Sequence, residues 1–136
     1  MLVAVNEAEQ IINLLEFSKS DLTELVGQFL RCPACKSQVR LKNGHVKMPH
    51  FAHVNLAACQ YYSENESLQH LTLKKRLYHW FKQTEQVKIE HFLPELQQTP
   101  DLLVNETIAI EIQCSHLSIQ RLRERTETYR AHGYTV

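Results

Sequence analysis

Asp101 and Glu111 are the residues of this chain whose type and setting point most directly to chemistry. They lie in Thr99–Gln113, where two apolar runs, Leu102–Val104 and Ile108–Ile112, are separated by Asn105-Glu106-Thr107. A carboxylate in such a run is costly to bury unless something pairs with it, and a divalent metal ion does so. Two carboxylates side by side can hold Mg²⁺ through hard oxygen donors. Gln113, two positions after Glu111, points to the same strand face and can address an attacking water. Together they would serve phosphodiester hydrolysis, in which the metal polarises the phosphate, lowers the water pKa and stabilises the leaving oxygen. The same residues also fit an ordinary hairpin with Glu111 solvated on an exposed face.

A second constellation begins with Cys32-Pro-Ala-Cys35 and returns with Pro49-His-Phe-Ala-His53 and Cys59. Thiolate sulfur and imidazole nitrogen suit tetrahedral zinc, and a Cys-x2-Cys knuckle beside a small hairpin has the layout of a zinc ribbon. Cys32, Cys35 and Cys59 are the expected thiolate ligands. His53 and His50 compete for the fourth place, and His53 is preferred for its nearness to Cys59. Nothing nearby offers an open coordination position with an acid, so this Zn²⁺ is expected to be structural. A third group, Glu66, His70 and Lys74, is spaced i, i+4, i+8 and forms one stripe on a helix, which also fits a plain solvated face.

The elements that must position these residues follow from periodicity. β-branched residues around a polar break make Leu102–Val104 and Ile108–Ile112 a hairpin. Register then decides the chemistry. A three-residue loop at Asn105–Thr107 pairs Val104 with Ile108 and sets Asp101 opposite Glu111, whereas a two-residue loop puts the acids on opposite faces. Ala109, Glu111 and Gln113 share one face, and the three isoleucines share the other.

Upstream, Leu2–Val5 and Ile11–Leu15 read as short strands joined around Asn6–Gln10. Ser18–Asp21 supplies capping residues before Leu22–Val26, and Gly27 ends that turn. Gln38–Leu41 and His45–Met48 flank Asn43-Gly44, a strong hairpin signal. Ser63-Glu64-Asn65 opens a helix over roughly Glu66–Gln83, with Leu68, Leu71, Leu77, Tyr78 and Phe81 on its apolar face and Trp80 at the border. Val87–Phe92 reads as a strand, Ser118–Ala131 as a second helix ended by Gly133, and Tyr134–Val136 as the start of a last strand. The chain stops there, so the pattern is expected to be truncated at its C-terminus. The expected fold class is α/β: a small β-rich zinc ribbon within an N-terminal region, 1–62, precedes a core of helix, three strands, helix and strand, 63–136.

Composition bounds the partners. The 136 residues suffice for one ordinary domain or two small ones, and 22% charged with 43% hydrophobic residues fits a folded chain. Lys plus Arg equals Asp plus Glu at 15 each, so no overall basic field announces nucleic acid, and DNA contact must come from local clusters such as Lys74-Lys75-Arg76. No leader pattern or membrane-length apolar run is present, so no membrane partner and a cytoplasmic location are expected.

Pro100-Asp101 followed by Glu111-Ile112-Gln113 resembles the Pro-Asp…(Asp/Glu)-x-Lys nuclease motif in its variant ending in Gln. Joined to Cys32-Pro-Ala-Cys35, Pro49-His-Phe-Ala-His53, Glu66-Ser-Leu-Gln-His70 with Lys74, and Ala109-Ile-Glu-Ile-Gln113, it makes essentially the whole chain resemble the competence protein CoiA family. The resemblance implies a restriction-endonuclease-like core behind the zinc-binding region. It also implies a metal-dependent nuclease of natural transformation, acting on incoming DNA or recombination intermediates. By the same resemblance Asp101 and Glu111 are the Mg²⁺ or Mn²⁺ carboxylates, and Glu66 completes the metal shell directly or through water. Gln113 takes the usual lysine position, and His70 and Lys74 touch the scissile phosphate. Glutamine carries no charge and accepts no proton as a neutral lysine would, so Lys74 is expected to supply the missing charge. The alternative is a nuclease fold with weak or lost activity that binds DNA, single-stranded or as a recombination intermediate, and recruits recombination or competence proteins.

Overall fold

The computed structural model describes residues 1–55, 59 and 66–136. Ser63, Glu64 and Asn65, expected to open the first long helix, and the expected boundary at 62/63 lie outside the described residues. The chain divides into two compact units, Met1–Glu66 and Ser67–Val136.

The first unit is built on β1 (Val3–Val5), β2 (Ile11–Asn13), β3 (Leu30–Arg31), β4 (Gln38–Lys42) and β5 (His50–His53), an antiparallel sheet in the order β2-β1-β3-β4-β5. The Asn6–Gln10 turn closes because the Asn6 carboxamide oxygen accepts from the amides of Ala8 and Gln10. A 3-10 turn at Asp21–Leu25 lays Leu22 and Leu25 onto the sheet. There they pack with Met1, Ala4, Leu14, Leu30, Cys32, Val39 and Phe51.

The second hairpin departs from expectation. Lys42 pairs with His50 and Val39 with His53, so residues 43–49 form the loop and His45–Met48 is not the return strand. Burial explains the shift. Pairing at His50–His53 puts Phe51 into the core at 1% exposure and leaves Val46 87% exposed. A buried phenylalanine is worth about 1.5–3 kcal/mol, which outweighs the local preference of Asn-Gly for a two-residue turn.

The second unit begins with α1 (Leu68–Phe81), capped by Ser67, whose hydroxyl accepts from the His70 amide. Leu71, Lys74 and Tyr78 form its buried side, and α1 packs on β6 (Val87–Ile89) and β7 (Leu102–Val104). Lys74 therefore faces inward with the apolar residues, away from the exposed Lys75 and Arg76. β6, β7 and β8 (Ile108–Ile110) form an antiparallel meander. Val104 pairs with Ile108, so the hairpin has the three-residue loop Asn105–Thr107, with Asn105 and Glu106 at φ 49° and 60°. Both strands are shorter than the apolar runs suggested: β6 ends at Ile89 and β8 at Ile110.

α2 (Ile119–Ala131), capped by Ser118, buries only Tyr129, which packs with Leu93, Leu96, Leu103 and Ala109. Gly133, at φ 85°, turns the chain back, and Thr135 makes a parallel bridge to Ile108. The described fold is thus mixed α/β, with two α-helices and two antiparallel sheets among the described residues.

Candidate functional site

In the N-terminal unit the knuckle is shaped by backbone bonds. The Cys32 amide donates to the Ser37 carbonyl, and the Lys36 amide donates back to the Cys32 carbonyl with Lys36 at φ 62°. This turn brings both thiols to one side. Ligand atoms of Cys32, Cys35, His53 and Cys59 all lie within 4.8 Å of one another. Burial pushes the Cys32 thiol up to about 12. Burial also acts upward on Cys35, but the Ser37 hydroxyl and amide, Cys32 and His53 outweigh it and bring that thiol to about 7. One thiol poised to ionise beside a buried protonated one is a donor set that a soft dication completes by displacing protons. Three sulfurs and one imidazole could hold zinc. His50 stands apart: its Nδ1 lies 2.9 Å from the Met48 carbonyl. His53 is the histidine of the cluster.

In the second unit the functional side chains meet at one end of the meander. Ile89 pairs with Leu102 and Leu102 with Ile110, so the next row is Glu90, Asp101 and Glu111. Asp101 is the hub. Its Oδ1 lies 2.8 Å from Lys74 Nζ, and its Oδ2 accepts from the Ile112 amide at 2.7 Å and lies 3.1 Å from His70 Nε2. Burial raises the proton affinity of Asp101, but His70, Lys74 and the Ile112 amide outweigh it and hold its carboxyl below the usual range. Glu111 goes the other way. Burial pushes its carboxyl up, and Arg125 and Tyr129 offset this only in part. The Tyr129 hydroxyl donates to Oε1 of Glu111 at 2.7 Å, and Arg125 Nη1 lies 3.3 Å from Oε2.

Of the sequence-predicted residues, Asp101, His70 and Lys74 are thus in direct contact, with Glu111 opposite on the adjacent strand. Gln113 is exposed, and its amide donates to the carbonyl and hydroxyl of Ser115. Glu66 is the last residue of the N-terminal unit, where its carboxylate takes the Met1 ammonium at 3.0 Å. Sequence reasoning missed Glu90, whose Oε1 lies 2.7 Å from Lys74 Nζ, and also missed Tyr129 and Arg125 as partners of Glu111. The alternation of Lys88 and Glu90 gave a weak signal for Glu90; Tyr129 and Arg125 share a helix face at i, i+4 but carried no motif. Hard oxygen donors at Asp101 and Glu111 fit Mg²⁺ or Mn²⁺ by type, although any ion would share Asp101 with donors already in place.

The family model of the competence protein CoiA nuclease-like domain matches residues 66–136, and that of the CoiA N-terminal domain matches residues 14–62. The chain belongs to the competence protein CoiA family. The cysteine cluster falls inside the CoiA N-terminal match and the carboxylate row inside the CoiA nuclease-like match. The chain is 33% identical over 106 residues to the competence protein CoiA of Bacillus subtilis (strain 168), a match covering 75% of this chain and 28% of that relative. No solved structure matches the chain significantly. Among the described residues no helix is long and apolar enough to cross a membrane.

Proposed function

We propose that this chain carries the core of a metal-dependent deoxyribonuclease of the restriction-endonuclease-like, Pro-Asp…(Asp/Glu)-x-Lys class, acting in the cytoplasm on DNA taken up during transformation or on its recombination intermediates. The observation that carries this reading is the carboxylate pair: Asp101 and Glu111 occupy opposed positions at the end of one hairpin, and His70 and Lys74 converge on Asp101. Asp101 and Glu111 are the residues of the second unit that would hold Mg²⁺ or Mn²⁺. Such an ion supplies charge neutralisation at the phosphate and a more acidic water. Lys74 brings a fixed positive charge to the acids, in the role that Gln113 cannot fill. Arg125 and Tyr129 orient the Glu111 carboxylate through Oε2 and Oε1. His70 sits where it can hand a proton to, or take one from, a phosphate oxygen beside Asp101. Cys32, Cys35, His53 and Cys59 hold a structural Zn²⁺ in the N-terminal unit, which docks DNA or a protein partner.

One observation favours the alternative, a DNA-binding scaffold with weak or lost catalysis that recruits recombination or competence proteins: the Gln113 amide is turned onto Ser115. Calorimetric Mg²⁺ and Mn²⁺ binding to the intact chain and to Asp101→Asn/Glu111→Gln, followed by cleavage of single- and double-stranded DNA, separates the two. Binding and cutting that disappear together in the variant are expected. An intact chain that binds DNA but neither metal, and cuts nothing, would leave the scaffold.

A further inference from the structure

Glu90 belongs to no motif, yet it is 2% exposed and sits at φ 47°, in the left-handed region that a branched backbone substituent disfavours. Buried acids held in strained backbone persist where the surroundings fix them for a purpose. The Glu90 amide donates to the Asp101 carbonyl at 3.0 Å, continuing the ladder by one row and setting the two acids side by side. Between them lies one cation. Lys74, also 2% exposed, places Nζ 2.7 Å from Glu90 Oε1 and 2.8 Å from Asp101 Oδ1.

We infer that Glu90 is a positioning residue for the metal site, acting through Lys74; the inference rests on the metal-nuclease reading above. Asp101 Oδ2 accepts from the Ile112 amide, and His70 Nε2 lies 3.1 Å from both carboxylate oxygens, so a divalent cation that takes Asp101 must compete with Lys74 for Oδ1. A carboxylate offers about four lone-pair positions, and the Lys74 ammonium occupies one of those that remain. With Glu90 present, the ammonium has a second anionic partner. It can withdraw from Oδ1 as a divalent cation arrives while keeping its ion pair with Glu90. Without Glu90, Lys74 loses a buried anionic partner and holds Asp101 more tightly against an incoming ion. Glu90 thereby keeps Lys74 beside the site as its fixed positive charge while leaving Asp101 open to metal.

The test is Mn²⁺ calorimetry on the full chain with its cysteine cluster zinc-loaded, for the unaltered protein, Glu90→Gln, Lys74→Gln and the double variant. Glu90→Gln is expected to weaken Mn²⁺ binding about tenfold, the lower end of what loss of an outer partner costs a metal site. In the Lys74→Gln background the same substitution is expected to change affinity little, because the residue through which Glu90 acts is gone. An equal loss in both backgrounds would make Glu90 a direct ligand or a simple charge and overturn the inference, as would an unchanged affinity in Glu90→Gln. An unaltered chain that binds no Mn²⁺ overturns the metal-nuclease reading, and this inference with it. Circular dichroism checks each fold. Glu90→Asp and Lys74→Met stand in for any variant that does not fold and are read the same way.

Discussion

The balance between burial and neighbouring partners falls in opposite directions at the two strand carboxylates. Asp101 is buried, which would raise its proton affinity, but His70, Lys74 and the Ile112 amide stabilise its ionised form more. Glu111 is also buried, and there Arg125 and Tyr129 do not make up the loss of solvation. The signs follow from linkage. Asp101, with its folded value depressed, contributes stability above its ordinary value of about 4, and that contribution is lost as pH falls through the folded value. Glu111, with its folded value raised, contributes stability that is full below its unfolded value of about 4.3 and lost as pH rises through the folded value. The melting temperature of the second unit is therefore expected to decline on the alkaline side of about pH 4.3. Glu111→Gln should flatten that limb and leave the acid limb of Asp101 in place. Thermal melts followed by circular dichroism from acid to neutral pH check this; an unaltered alkaline limb in the variant would assign the decline to other groups.

A one-residue change in a loop has a larger effect on an element than most side-chain changes have on a site. The Asn105–Thr107 loop sets Val104 opposite Ile108 and thereby Asp101 opposite Glu111. Deleting Thr107 leaves a two-residue connection and turns every side chain of one strand to the other face. Ala109 would leave the cluster around Tyr129, and Glu111 would no longer face it. Mn²⁺ affinity is expected to fall about tenfold or more, with a lower denaturant midpoint. Replacing Glu106, at φ 60°, by glycine keeps the loop length and should leave metal binding unchanged. Calorimetry on the two variants side by side distinguishes register from loop chemistry.

At the scale of the molecule, each unit has a core of its own residues, around Ala4, Leu30 and Phe51 in the first and around Leu103, Ala109 and Tyr129 in the second. Cys32 belongs to the first core as well as to the cysteine cluster, so a metal bound there would be coupled to that unit's folding. A structural zinc supplies on the order of 10 kcal/mol, comparable with the whole stability of a small domain. A strong chelator is expected to lower the melting transition of the N-terminal unit by 10 °C or more, roughly what a few kcal/mol does to a domain this size, and to leave the second unit's transition in place. Calorimetric scans with and without chelator, and with Cys32→Ser, would show it. A single transition that moves as a whole would mean that the two units melt cooperatively.

Much of this was legible in the chain because the signals were local. Strand pairing across Asn105–Thr107, the cap at Ser118 and the turn at Gly133 each depend on a few neighbouring residues whose spacing sets their geometry. The family could be read for the same reason, since its motifs are short and ordered. Where a choice depended on burial, only the tertiary structure made it. Phe51 moved the second hairpin off Asn43-Gly44 because a hydrophobic side chain gains more from a core than a dipeptide gains from its preferred turn. Lys74, placed by spacing on a polar stripe, turned inward because Glu90 and Asp101 meet it there, and Glu90 reached that place only through register. The residue types were written in the sequence. Which charges are closed off from water, and which partner each must find there, depends on groups far apart along the chain, and folding alone brings those together.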